Sequence, residues 1–288
     1  MLIVDAQVHI WSASTPEQPW PPGLRPQRAE PLGKDELLKN MDEAGVQGAI
    51  LVPPRIEGGR NDLSLAASRS HPDRFAVMGK LDQDAPDARE KLAAWREQPG
   101  MLGLRFNLKG KVESLLTDGR MDWVWPAAER AGVPLYVQVT QANAPVIGEV
   151  AARHPGLKLV LDHLAISNDK QKDEAAFAEL DKVLTLAKLP NVAVKATTLP
   201  NYTTDDYPYR RLHPYLKRVH DAFGPKRMFW GTDLSRLRGP YRECVTMFTE
   251  EMEWLPRADL EWIMGRGLCE WLGWKLAAQF TNMRKSNG

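Results

Sequence analysis

Leu157-Lys158-Leu159-Val160-Leu161-Asp162-His163 is a short apolar run that ends on two polar residues, and the chain repeats that design. Apolar side chains on consecutive positions suit a parallel strand buried on both faces. Seven more runs read the same way: Leu2–Ile10, Val46–Pro53, Ala76–Leu81, Leu102–Asn107, Leu135–Thr140, Val192–Ala196 and Arg227–Asp233. Helical stretches separate them, at Lys34–Ala44, Asn61–Ser70, Ala85–Arg96, Met121–Ala131, Ala142–His154, Lys170–Ala187, Tyr209–Phe223 and Pro240–Leu255. Stops such as Gly45, Gly132 and Gly224 close several of them. Eight strand–helix units in 288 residues predict one domain over 1–288, a (β/α)8 TIM barrel of the α/β class. A doubly wound open sheet is the alternative, but no Gly-x-Gly-x-x-Gly follows the first run. Two stretches stand outside the rhythm. Residues 12–33 form a loop with six prolines, which favours an ordered lid over the mouth, and Thr198–Pro208 follows run seven on the same face; 257–288 read as a C-terminal helix and tail.

Composition narrows the function. With 38 basic and 37 acidic side chains the net charge is +1, so the whole chain offers no field for nucleic acid or a membrane surface. The two cysteines, Cys244 and Cys269, have no metal-site spacing and suit a reducing compartment. The first residues show no basic leader, and no apolar run reaches the length of a membrane span. A cytoplasmic enzyme is expected, with a small molecule as its partner and self-association left open.

The ends of barrel strands carry chemistry in this architecture. Here they offer Gln7 and His9 on run one, Arg105 and Asn107 on run four, and Gln138 and Thr140 on run five. Asp162 and His163 close run six, Lys195 lies on run seven and Asp233 on run eight. His71, His154, His213 and His220 fall on or beside helices and read as structural. No Gly-x-Ser-x-Gly elbow supports a serine nucleophile.

Asp5-Ala6-Gln7-Val8-His9-Ile10-Trp11, Gly103-Leu104-Arg105-Phe106-Asn107, Leu161-Asp162-His163-Leu164 and Phe229-Trp230-Gly231-Thr232-Asp233 carry a resemblance. In this order the chain resembles the amidohydrolase superfamily (amidohydrolase-related family 2), in the lactonase branch with 2-pyrone-4,6-dicarboxylate lactonase and 4-sulfomuconolactone hydrolase. The resemblance implies the barrel, hydrolysis at a carbonyl and Asp233 as proton acceptor. His9 and His163 then polarise a lactone carbonyl. Arg105 clamps a carboxylate or sulfonate, helped by Gln7, Gln138, Lys195, Arg211 and Arg236, with Arg55 and Arg238 as candidate extensions. The implied function is ring opening of a small anionic lactone in aromatic-compound catabolism, by a carboxylic-ester hydrolase.

One departure bears on the cofactor. The superfamily pattern on strand one is His-x-His, and position 7 is glutamine, a weak ligand beside imidazole. No lysine on run four can bridge two metals. The expectation is a site that requires no metal. The alternative is a single zinc or manganese ion on His9, His163 and Asp233. Two other readings remain, a metal-dependent decarboxylase of an aromatic acid and a non-catalytic ligand-binding barrel.

Overall fold

The computed structural model describes residues 1–28, 30–166 and 171–276. Eight parallel strands stand in sequence order, β1 (Val4–Val8), β2 (Gly48–Leu51), β3 (Phe75–Gly79), β4 (Met101–Asn107), β5 (Leu135–Gln138), β6 (Leu159–Leu161), β7 (Val192–Ala196) and β8 (Met228–Trp230). Helices pack outside them, so the architecture is the expected (β/α)8 barrel. Alternation along the strands builds two inward layers. Tyr136, Val160, Ala193 and Phe229 lie in one inner apolar cluster. Two residues further along the same strands stand Gln138, Asp162, Lys195 and Gly231, all on the C-terminal side. The apolar layer thus floors a polar one.

The seam between β8 and β1 is closed differently from the others. Among the described residues seven neighbouring strand pairs form ladders, and β1–β8 is not among them. A main-chain bond from Asp233 N to Gln7 O spans it at 2.9 Å. The buried Asp5 carboxylate does the rest. Its Oδ1 accepts from the main-chain N of Gln7 at 3.0 Å and of Thr232 at 2.9 Å, and its Oδ2 accepts from the hydroxyls of Thr232 and Tyr241.

The observed elements are shorter than the sequence runs. The helix expected over Ala85–Arg96 is Ala88–Ala93, Met121–Ala131 is Val124–Arg130, and Tyr209–Phe223 begins at His213. Pro240–Leu255 splits into Tyr241–Thr246 and a wider π turn, Met247–Glu251. Lys170, at the start of one expected helix, lies outside the described residues; the remainder of that stretch forms Asp173–Ala176, Leu180–Leu184 and a 3-10 turn. The 3-10 segment Gly110–Leu116 after β4 has no counterpart among the expected elements. Residues 12–28 and 30–33 are irregular, anchored by Trp11 N to Leu32 O at 3.1 Å and Trp20 Nε1 to Ser12 O at 3.0 Å. Of 257–288, helical segments run from Arg257 to Leu272, and 277–288 lie outside the described residues. No described helix is long and apolar enough to cross a membrane.

Gly231 sits where the seam is tightest. A Cβ there would stand 2.8 Å from the main-chain N of Ala6, from Asp5 Oδ1 and from Thr197 Cγ2. Gly231→Ala should therefore cost at least about 1–3 kcal/mol, as overpacking of a closed core does. A urea midpoint unchanged from the parent would show that the seam can open without penalty.

Candidate active site

Three consecutive strands leave the barrel through left-handed residues, and each such turn presents site groups. His163, Leu164 and Ala165 follow β6 with φ of 54°, 53° and 55°. Thr198 follows β7 at 62° and Asp233 follows β8 at 56°. Side chains outside glycine adopt this region at a cost of roughly 1–2 kcal/mol each. The turns bring His163 and Asp233 back over the barrel axis, where they meet Gln7 and His9 from β1. They line a cavity of about 240 Å3 together with Arg105, Gln138 and Arg236. Leu24 to Gln27 of the proline-rich loop form part of its wall.

A buried ion network lies beneath. Asp162 receives Arg105 Nε at 3.0 Å on one oxygen and Lys195 Nζ at 2.7 Å on the other. Burial alone would raise this carboxyl, but Lys195, Arg105 and His163 outweigh it and hold it at about 2. Two cations around one carboxylate leave one net positive charge under the cavity. Arg105 also donates to Gln138 Oε1, and Lys195 to Gln7 Oε1. Lys195 lies 3.8 Å above the ring of Tyr136. Burial, partly offset by Asp162, brings its ammonium down to about 8, so it stays mostly charged at neutral pH.

This network fixes the polarity of the site. An ammonium only donates, so the Gln7 atom facing Lys195 is its oxygen and the amide nitrogen points the other way. That nitrogen lies 3.3 Å from His163 Nε2 and 3.5 Å from His9 Nε2. His163 Nε2 therefore accepts, and its proton sits on Nδ1, donated to Thr197 Oγ1 at 2.7 Å or Thr198 Oγ1 at 3.0 Å. Burial pushes His163 down to about 3 against the pull of Asp233 and Asp162, so the ring is neutral. His9 Nδ1 faces the carbonyl of Val52 at 2.5 Å and must donate to it. With that proton on Nδ1, its Nε2 presents a lone pair, 3.5 Å from the Gln7 amide nitrogen and 3.2 Å from Asp233 Oδ1.

Asp233 is fully buried, and neither carboxylate oxygen has a hydrogen bond of good geometry among the described residues. Burial raises its carboxyl, yet His9, His163 and Arg236 bring it well below the ordinary carboxylate range. An ionised, unsatisfied carboxylate at a cavity floor is an acceptor that lacks a donor.

The structure therefore separates residues that the sequence grouped as substrate contacts. Gln7, Arg105, Gln138 and Arg236 line the cavity; Lys195 and Arg211 do not. Lys195 is fully buried behind Gln7, and Arg211 is exposed, 3.9 Å from Asp173. Both histidines turn Nε2 towards the Gln7 amide. Sequence reasoning missed Thr197, Thr198 and the Val52 carbonyl, which set the imidazole tautomers; for the threonines the adjacent pair after β7 was the available signal. Outside the barrel His154 pairs with Glu129 and His220 with Asp259, as structural residues do.

Among the described residues no group of three His, Cys, Asp or Glu side chains is arranged to hold a metal ion. The amide N–H groups of Gln7 face the imidazole lone pairs that an ion would need.

Polar groups thus converge on the C-terminal mouth of a parallel barrel, with the buried Asp233 carboxylate just after strand eight. The family model for amidohydrolases matches residues 4–266, and the protein belongs to that family. It is 28% identical over 254 residues to an L-fucono-1,5-lactonase of Burkholderia ambifaria, covering 83% of this chain and 82% of the relative. Identity to the 4-sulfomuconolactone hydrolase of Hydrogenophaga intermedia is 25%, over 69% of this chain and 64% of that one. An amidohydrolase of Burkholderia multivorans solved with bound zinc superposes with a TM-score of 0.79 at 23% identity, covering 95% of this chain and all of that one. The curated relatives are lactone hydrolases, and the structural likeness carries the fold.

The neutral state of His163 has a measurable consequence. Its folded value of about 3 lies below the ordinary 6.5, so the unfolded chain binds more protons between them. Stability from this group is full above about 6.5 and falls as pH drops towards 3, by up to about 1.4 kcal/mol per pH unit. Asp5 acts oppositely, since burial raises it to about 6 and its protonation favours the folded state between 6 and 3.8. Replacing His163 with asparagine removes only the first contribution. The stability gap between parent and variant should thus narrow steadily between pH 6.5 and 4.5 in urea titrations; a gap independent of pH would mean that the imidazole charges within the fold.

Proposed function

We propose that the protein opens the ring of a small anionic lactone by general-base attack of water, without a resident metal, in the breakdown of aromatic compounds. The observation that carries this reading is the buried, ionised Asp233, whose two oxygens lack hydrogen bonds at the floor of the cavity. A water there donates one hydrogen to Asp233, beside His163 Nε2, which lies 3.9 Å from Asp233 Oδ2. As its oxygen bonds to the lactone carbonyl carbon, Asp233 takes the proton. Charge develops on the carbonyl oxygen, where the Gln7 amide and the Arg105 guanidinium, both lining the cavity, are available donors. The ring C–O bond then breaks, the leaving alkoxide takes the proton back from Asp233, and a hydroxy acid departs. The curated lactonase relatives support the reaction class. A metal-dependent decarboxylase would need an ion that these groups do not suit.

The anionic substrate rests on charge. The cavity is lined by Arg25, Arg55, Arg105, Lys109 and Arg236 against a single acid, Asp233. A chain of net charge +1 has thus gathered positive charge at one place. Beside it a cleft of about 1000 Å3 shares Arg55, Arg105 and Lys109 and adds Lys80 and Lys111, against the acids Asp82 and Glu113. Crowding is visible in the lysines. Burial, then Arg105 and Arg55, lower Lys80 to about 7, and burial, then Arg105 and Arg236, lower Lys109 to about 8. An anion relieves such repulsion.

Two measurements test this reading. Asp233→Asn keeps the shape and removes the base, so kcat should fall at least roughly 100-fold, the lower range for acid–base catalysis; near-parental turnover would overturn the role. Arg55→Ala removes an exposed rim cation that touches no part of the base. It should lower kcat/KM for carboxylate- or sulfonate-bearing lactones about 10- to 150-fold, the worth of one charge-assisted contact. Neutral sugar lactones should be nearly unaffected, and an equal loss on both classes would exclude anion selection.

A further inference from the structure

We propose that Lys195 is a lock against metal: by holding the oxygen of Gln7 it keeps the amide N–H groups on the two imidazoles and so denies the site to a divalent cation. The inference deepens the metal-free mechanism above and rests on it. Gln7 is fully buried and cannot be reoriented by solvent. Of its two polar ends, Nε2 meets His163 and His9, while Oε1 meets Lys195, which is itself held by Asp162 at 2.7 Å. Rotating the amide by half a turn would set N–H against the ammonium, two donors face to face in a dry interior, and that conformer is excluded while Lys195 is charged.

Without Lys195 the alternative conformer becomes available. Oε1 would then face the gap between His9 Nε2, His163 Nε2 and Asp233, giving two nitrogens and two oxygens, a donor set suited to zinc or manganese. The like charge of the ammonium disappears at the same time. Lys195 is thus a positioning residue whose effect on the site passes through Gln7.

Zinc titration of the purified full chain tests the lock, using the parent, Lys195→Met and Gln7→Glu. The glutamate keeps one oxygen on Lys195 and turns a second towards the imidazoles, so it creates the ligand without disturbing the buried ion network. The parent should retain no stoichiometric zinc after dialysis. Lys195→Met and Gln7→Glu should bind one ion about 10- to 100-fold more tightly than the parent, the range over which partners of a ligand tune metal affinity. Adding Asp233→Asn should abolish the gain. If Lys195→Met fails to fold, Gln7→Glu decides. Parental binding as tight as the variants', or no gain in the variants that fold, overturns the lock. The lactonase reading falls separately, on turnover by Asp233→Asn; a parent that binds zinc tightly yet opens lactones equally well after chelation would sink the lock and leave that reading standing.

Discussion

The carboxylate of Asp162, clasped between Arg105 and Lys195, is the interaction on which the mouth of this barrel depends. Each cation sits in an otherwise apolar barrel, where an unpaired charge would cost several kcal/mol. Asp162 makes both tolerable, and each cation then uses a further donor to orient one glutamine, Gln138 by Arg105 and Gln7 by Lys195. The direction of Gln7 decides which nitrogen of His163 bears hydrogen. Polarity is thus transmitted from a salt bridge to an imidazole tautomer through one amide.

A second carboxylate does comparable work at the seam. Asp5 joins strands that share no ladder among the described residues, and its acceptor bonds fix the main chain at Gln7 and Thr232, each next to or within the site. The buried acids have different consequences because their partners differ. Asp5 is surrounded by neutral donors and is raised to about 6 by burial, whereas Asp162 and Asp233 face cations or imidazoles and are held low. Of the three, Asp233 is the one with both oxygens lacking a hydrogen bond among the described residues.

Much of this was legible in the sequence, for definable reasons. Parallel strands buried on both faces leave apolar runs that alternate with helical stretches, and the eight of them located the barrel to within a few residues. The polar residues ending those runs located Gln7, His9, His163 and Asp233. Strand length was overestimated where left-handed turns begin, since the residues of Asp162–His163 and Thr232–Asp233 continue an extended pattern on paper and break it in space. Roles that depend on partners were only partly legible. Lys195 reads as either a salt-bridge partner or a substrate contact until its ammonium is seen bonded to two buried side chains. Arg211 reads likewise until its loop carries it to the exterior. The cationic character of the mouth was legible at Arg105, Arg236 and Arg55, whereas Arg25, Lys80 and Lys109 come from separate stretches and the net charge averages them away.

The left-handed turns show where the fold accepts local strain in return for placement. Five positions, His163, Leu164, Ala165, Thr198 and Asp233, occupy that region after β6, β7 and β8. Three of them have side chains that take part in the site, while Leu164 and Ala165 are fully buried apolar residues. Burial of these two against the outer core offsets the strain of the turn that carries His163. Extended continuation of β6 and β8 would instead carry His163 and Asp233 past the mouth, away from Gln7 and His9. The same turns explain why the donor at β1 and the acceptors at β6 and β8 meet across the axis: β1 contributes side chains from an extended strand, and its partners are folded back to reach them.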